Sequence, residues 1–207
     1  MNFLNLQHSP VNWFDVLVIV TILLGIRKGR MNGMSVELVP MIQWIAIVAV
    51  GAAGYKFFGD MLAESSPMGH LFCYITCYII LAIFVKGFFA LIKKSAGGKL
   101  VGSDIFGRAE FYLGMFGGAV RFACILLAGL ALLNAPYYSA QEIAKDHAYQ
   151  MDMYGSNFFP GLSAAQIDVF KGSFLGSALK KHAEFLLIAS TKSEPSKGIQ
   201  RRKDDLP

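Results

Sequence analysis

The sequence predicts an all-α membrane protein with four transmembrane helices followed by C-terminal amphipathic helices. Three observations carry that expectation. Hydrophobic residues make up 55% of the 207 positions and charged residues only 16%, whereas a soluble domain carries about 25% charge. The apolar residues gather into four runs near the length that crosses a bilayer: Val11 to Ile26, Leu38 to Phe58, Leu71 to Ile92 and Phe111 to Leu133. Lysines and arginines cluster at run ends rather than along one face, which marks membrane orientation and not nucleic-acid binding.

Residues 1–12 form a polar lead. The first run has Trp13 at its entrance and Arg27, Lys28 and Arg30 at its exit, an interfacial aromatic and cations that can snorkel to the headgroups. Asp15 reads as a first-turn acid facing its own helix dipole. Asn32-Gly33 stops this helix, because both residues tolerate the left-handed backbone. Ser35 is the expected cap of the second helix, which must start late or kink at Pro40. Gly51-Ala-Ala-Gly54 makes a thin stretch in it, suited to close helix contact.

The third run is long enough to span with ordinary tilt, and its Lys86 reads as a snorkelling cation. Lys93 to Gly107 reads as a basic, glycine-rich loop. Its Gly97-Gly98-Lys99 lacks the spacing of a phosphate loop. The fourth run ends at Asn134-Ala-Pro136. Residues 13–134 are therefore read as the transmembrane domain.

Residues 135–190 form an extramembrane helical segment. Ser139-Ala-Gln-Glu142 and Ser163-Ala-Ala-Gln166 are read as capping boxes, opening helices over about 140–153 and 164–190. Ile167, Phe170, Phe174 and Ala178 make an apolar stripe on the second, which either packs on the protein's own surface or lies on a membrane or partner. Residues 191–207, rich in charge and proline, form a disordered tail.

Arg121 stands out because a charge near mid-bilayer costs about 2.5–3.5 kcal/mol, so it points inward and has a partner, unless the fourth helix begins only at Gly117 or Gly118 and Arg121 is interfacial. Glu110 on the same helix is too far along the axis for a direct pair. Glu37, near the start of the second helix, is the better candidate if the second and fourth helices touch; otherwise it is a first-turn acid. Arg121, Glu37 and Glu110 make up the expected intramembrane polar cluster. Gly25 and Gly29, and Gly114 and Gly118, share the four-residue spacing that lets helix backbones approach.

No catalytic, cofactor or metal set emerges. His8, His70, His147 and His182 are scattered, and Cys73, Cys77 and Cys124 lie in apolar runs without ligand spacing. The expectation is a protein that is not an enzyme and holds no cofactor. Positive-inside counting places the connections after the first and third runs in the cytoplasm and both termini outside.

At this point the residues resemble a known family. Trp13-Phe14-Asp15 before an apolar run, then Gly25-x-Arg27-x-Gly29 and an acid at Glu37, look like the opening of the colicin V production protein family (CvpA). Glu110-x-x-Leu113-Gly114-x-x-x-Gly118-Ala119-x-Arg121 is similar to that family's second hallmark. The resemblance covers about residues 13–134. It departs in having Glu110 where Asp is common, Phe122 where Gly is common after the arginine, and a looser spacing near Glu37. It implies a multi-pass bacterial inner-membrane protein connected with colicin V production, toxin biosynthesis and envelope homeostasis. The resemblance brings no reaction with it.

Two functions follow. The first is an accessory or scaffold factor in toxin production or export, or in envelope homeostasis, with a membrane or envelope protein as partner in the lipid bilayer. The alternative is a small homo-oligomeric membrane channel or transporter with a polar cluster around Arg121. Nucleic acid is not an expected partner of either.

Overall fold

The computed structural model describes residues 12–101, 107–139, 142–144, 148, 152 and 161–192. Helix α1 (Trp13–Asn32) opens on a capping box in which Asn12 and Asp15 satisfy each other's end of the chain. Gly33, at φ 73°, then turns the backbone in a single residue into α2 (Met34–Ser65). That φ lies in the left-handed region, where a Cβ costs roughly 1–2 kcal/mol, so glycine is the residue for the position. The expected cap at Ser35 is corrected: α2 starts at Met34 behind Gly33, and Ser35 is a buried helical residue. Pro40 lies inside α2, which continues through it.

After a short turn, α3 (His70–Val101) returns antiparallel to α2. The loop expected over Lys93 to Gly107 is also corrected, since α3 runs on to Val101. Its lysines and the Gly97-Gly98 pair are tolerated once a long helix is nucleated, because each added residue brings one hydrogen bond. A 3₁₀ turn (Gly107–Ala109) leads into α4 (Glu110–Asn134).

The four long helices lie side by side in the spatial order α1, α4, α2, α3. Three of them, α2, α3 over His70–Lys94, and α4, are long and apolar enough to cross a membrane. The chain is thus an all-α, multi-pass membrane protein. Helix α1, charged at both ends, is the least apolar of the four.

Within a bilayer, apolar burial does little to drive helices together, so close packing and polar contacts decide which ones associate. At the α1/α4 contact the glycines pair across the seam: Gly25 faces Gly118, Gly29 faces Gly114, and Gly33 faces the Glu110 side chain. A Cβ placed on Gly25 would stand 2.7 Å from the Gly118 carbonyl oxygen, so neither backbone leaves room for a side chain. At the α2/α3 contact, the thin stretch of α2 receives an aromatic ring instead. Tyr78, 2% exposed, fills the space beside Gly51.

The C-terminal segment closes one end of this row, the end formed by Phe14, Tyr55, Tyr74 and Asn134. It contains α5 (Leu162–Phe170), α6 (Phe174–Ala183) and a 3₁₀ turn (Glu184–Leu186). The single helix expected over 164–190 is therefore broken at Lys171-Gly172-Ser173, where Ser173 caps α6 by accepting from the Gly176 amide. The expected box at Ser163 does not form. Gly161 stands at the cap, Ser163 is buried, and Gln166 donates to the carbonyls of Leu133 and Pro136 at 2.9 and 2.8 Å. The box at Ser139 and Glu142 does form, while most of the helix it would open lies outside the described residues.

Val169, Phe170, Leu187 and Ile188 join Phe14, Tyr55, Tyr74, Leu130 and Ala131 in one buried core. Backbone and side chains then bind the two parts together. Asn134 donates to the Ile188 carbonyl at 2.9 Å, the Tyr55 hydroxyl accepts from the Ala189 amide at 3.0 Å, and β2 (Thr191–Lys192) pairs in parallel with β1 (Pro136–Tyr137). Thr191 and Lys192 are thus ordered at the start of the expected tail, whose remainder lies outside the described residues, as do residues 1–11 of the lead.

Candidate functional site

Helices α2 and α4 run in the same direction from the Gly33 end, and Gly117 lets them meet. A Cβ there would stand 3.2 Å from the Met34 sulfur and 3.6 Å from the Glu37 Cβ. Arg121 follows one turn later, about 16 Å along the axis from Glu110. Long helical side chains lean back toward the N-terminus of their helix, so Arg121 reaches down to the level of Gly117 and meets Glu37. Its Nη1 donates to Glu37 Oε2 at 2.6 Å. The other carboxylate oxygen, Oε1, accepts from the Asn32 amide at 2.7 Å. Glu37 is fully buried and the Arg121 side chain is 12% exposed.

This is a charge-neutral pair with a supporting amide, held by three helices. Asn32 comes from the last turn of α1, Glu37 from the first turn of α2 and Arg121 from the middle of α4. The guanidinium carbon of Arg121 also lies 5.0 Å from the centroid of the Phe122 ring, within the range of a cation–π contact. Removing water from two charges is costly, and the geometry offsets that cost only when the remaining donors and acceptors are met. Asn32 meets one of them.

Glu110 sits apart from this pair. Its side chain lies against Gly33, and its Oε1 accepts a long 3.4 Å hydrogen bond from the Ser35 amide. It therefore places a negative charge at the start of α2, where the first amides of the helix have no partner within the helix. The structure brings together Arg121 and Glu37 and joins Glu110 to the same bend through the Ser35 amide. Gly25, Gly29, Gly114 and Gly118 all lie in the α1/α4 seam. Lys86 is exposed on α3 among Ile83, Phe84 and Phe88.

A second polar site was not foreseen as such. Asp15 is 3% exposed and accepts four hydrogen bonds. Oδ2 takes the amides of Asn12 at 2.9 Å and Phe174 at 3.2 Å; Oδ1 takes the Ser173 hydroxyl at 2.7 Å and the Leu175 amide at 2.8 Å. The acid serves the start of its own helix and also the start of α6. Asn12-x-x-Asp15 was readable as a capping box, but the contact with α6 spans most of the chain and leaves no local signal.

Cys73, Cys77 and Cys124 are buried free thiols. No group of three or more His, Cys, Asp or Glu side chains able to hold a metal occurs among the described residues.

Against known proteins, the family model described as Colicin V production protein matches residues 14–165. No curated protein and no solved structure matches the chain. The match includes Asp15, all four seam glycines, Glu37 and Arg121, and extends past the fourth helix to the start of α5.

Proposed function

Because the chain belongs to the colicin V production protein family, we propose that it is an accessory or scaffold factor of the bacterial inner membrane, serving toxin production or export, or envelope homeostasis. It would act through helix contacts in the bilayer rather than by turning over a substrate. The observation that carries this reading is the closed state of the intramembrane charge. Arg121 is neutralised by Glu37, and Asn32 occupies the other carboxylate oxygen. A conduit for ions needs polar groups that bind and release along a path, and this pair is engaged within the fold. Meanwhile α3, packed chiefly on α2, carries Ile79, Ile80, Ile83, Phe84, Phe88 and Leu91 exposed.

In this reading α1 is the fourth span. Its 20 residues cover about 30 Å, the thickness of a hydrocarbon core. Arg27, Lys28, Arg30, Lys93 and Lys94 share the Gly33 end of the row, and by the positive-inside rule this supports a reading with that end in the cytoplasm and the C-terminal segment outside.

Photocrosslinking in the membrane from Phe84 tests the proposal. A recurrent heteromeric adduct whose partner's deletion reproduces loss of this chain is the expected result. Adducts of the chain with itself alone would turn the reading to the homo-oligomeric channel, which the one-sided packing of α3 also suits.

A further inference from the structure

We infer that the groove beside the α1/α4 seam, lined by Leu24, Arg27, Lys28, Met31, Asn32 and Phe122, is a binding site for one anionic phospholipid. Its volume is about 430 Å³. It exists because the seam is so tight. With Gly25 against Gly118 and Gly29 against Gly114, the two helices touch through their backbones, and the larger side chains on the flank stand aside and leave a channel. Phe122 packs against Gly25 and forms the α4 wall; Leu24 and Met31 form the α1 wall.

The chemistry of the groove is graded along α1. Leu24 and Lys28 are one helical turn apart, about 6 Å along the axis, so an apolar floor is followed directly by cations. None of Arg27, Lys28 and Arg30 makes an ion pair among the described residues. Asn32 is an uncharged amide and adds no competing charge; its NH2 group donates to Glu37. Two cations at the mouth of an apolar groove, at the end of a membrane helix, complement a phosphodiester whose acyl chain continues along Leu24 and Phe122. A zwitterionic lipid fits the floor equally and carries the same phosphodiester, but its quaternary ammonium group offsets that charge beside the two cations.

The test is native mass spectrometry of the full chain in mild detergent, titrated with phosphatidylglycerol or phosphatidylcholine of the same chains. The expected result is one tightly held phosphatidylglycerol and weaker phosphatidylcholine. Removing both mouth charges in Arg27→Gln/Lys28→Gln should weaken the phosphatidylglycerol by about thirtyfold. Lys93→Gln/Lys94→Gln removes the same charge at the same end of the row, outside the groove, and should change binding by less than about threefold. Leu24→Trp, which fills the floor and keeps both cations, should also weaken binding. Equal losses in the two double variants, no preference between the lipids, or full binding in Leu24→Trp would overturn the site. So would displacement by inorganic phosphate at matched concentration, since an anion site needs no acyl chain.

Discussion

Arg121 on α4 and Glu37 on α2 meet at 2.6 Å although 84 positions separate them in the chain, and the carboxylate they share with Asn32 is fully buried. Breaking such a pair leaves an uncompensated charge, at a cost of about 3–5 kcal/mol, while replacing both partners by apolar groups is often neutral or better. Arg121→Met is therefore expected to lose stability by that amount, and Arg121→Met/Glu37→Met to regain most of it. Retention of the folded peak on size-exclusion chromatography after heating in detergent reads both. A double variant no better than the single one would show that the pair is held by more than its own neutrality.

The glycine seam predicts a sharp positional contrast. Gly29→Val forces a side chain into the Gly114 backbone and should separate α1 from α4, with loss of the folded species. Gly87 and Gly129 have nothing within 4 Å of an added Cβ. Alanine at either should be accepted and should gain up to about 0.5–1 kcal/mol from helix propensity. The same heating assay compares the three, and an unaffected Gly29→Val would contradict the backbone contact.

Asp15 holds the C-terminal segment to the bundle through α6. Asp15→Ala removes the acceptor of the Ser173 hydroxyl and of the Phe174 and Leu175 amides; loss of such a cap costs about 0.5–2 kcal/mol. Protease should then cut within residues 161–192 at lower doses than in the parent protein, while the long helices stay intact. Ser173→Ala, which leaves the carboxylate in place, should be milder.

Orientation can be read directly because the three native cysteines are buried. Met68 is 47% exposed in the turn after α2, and Met31 is 75% exposed at the opposite end of the row. In intact cells an impermeant thiol reagent should label Met68→Cys and spare Met31→Cys. The reverse pattern would place the basic end outside.

The long helices were legible because a bilayer imposes length and apolarity on each span separately, and the glycine spacings were legible because four residues make one helical face. The end of α3 was not, since Lys93 to Val101 has the composition of a loop while the growing helix continues through it. The break at Lys171 to Ser173 was missed for a related reason. The apolar stripe from Ile167 to Leu186 keeps helical spacing, and the helix start at Phe174 is held by the Ser173 cap together with the Asp15 carboxylate, more than 150 positions away.

The sequence by itself determined that this chain is a helical membrane protein of the colicin V production family with a charge that must be matched inside the bundle. Each of those properties depends on composition, short motifs or the solvation of a single residue. Only the tertiary structure decided which helices touch. Pairing in a bilayer rests on close packing and on polar partners distant in the chain, so the order α1, α4, α2, α3, the Asn32–Glu37–Arg121 set and the role of Asp15 appear only when the helices are assembled.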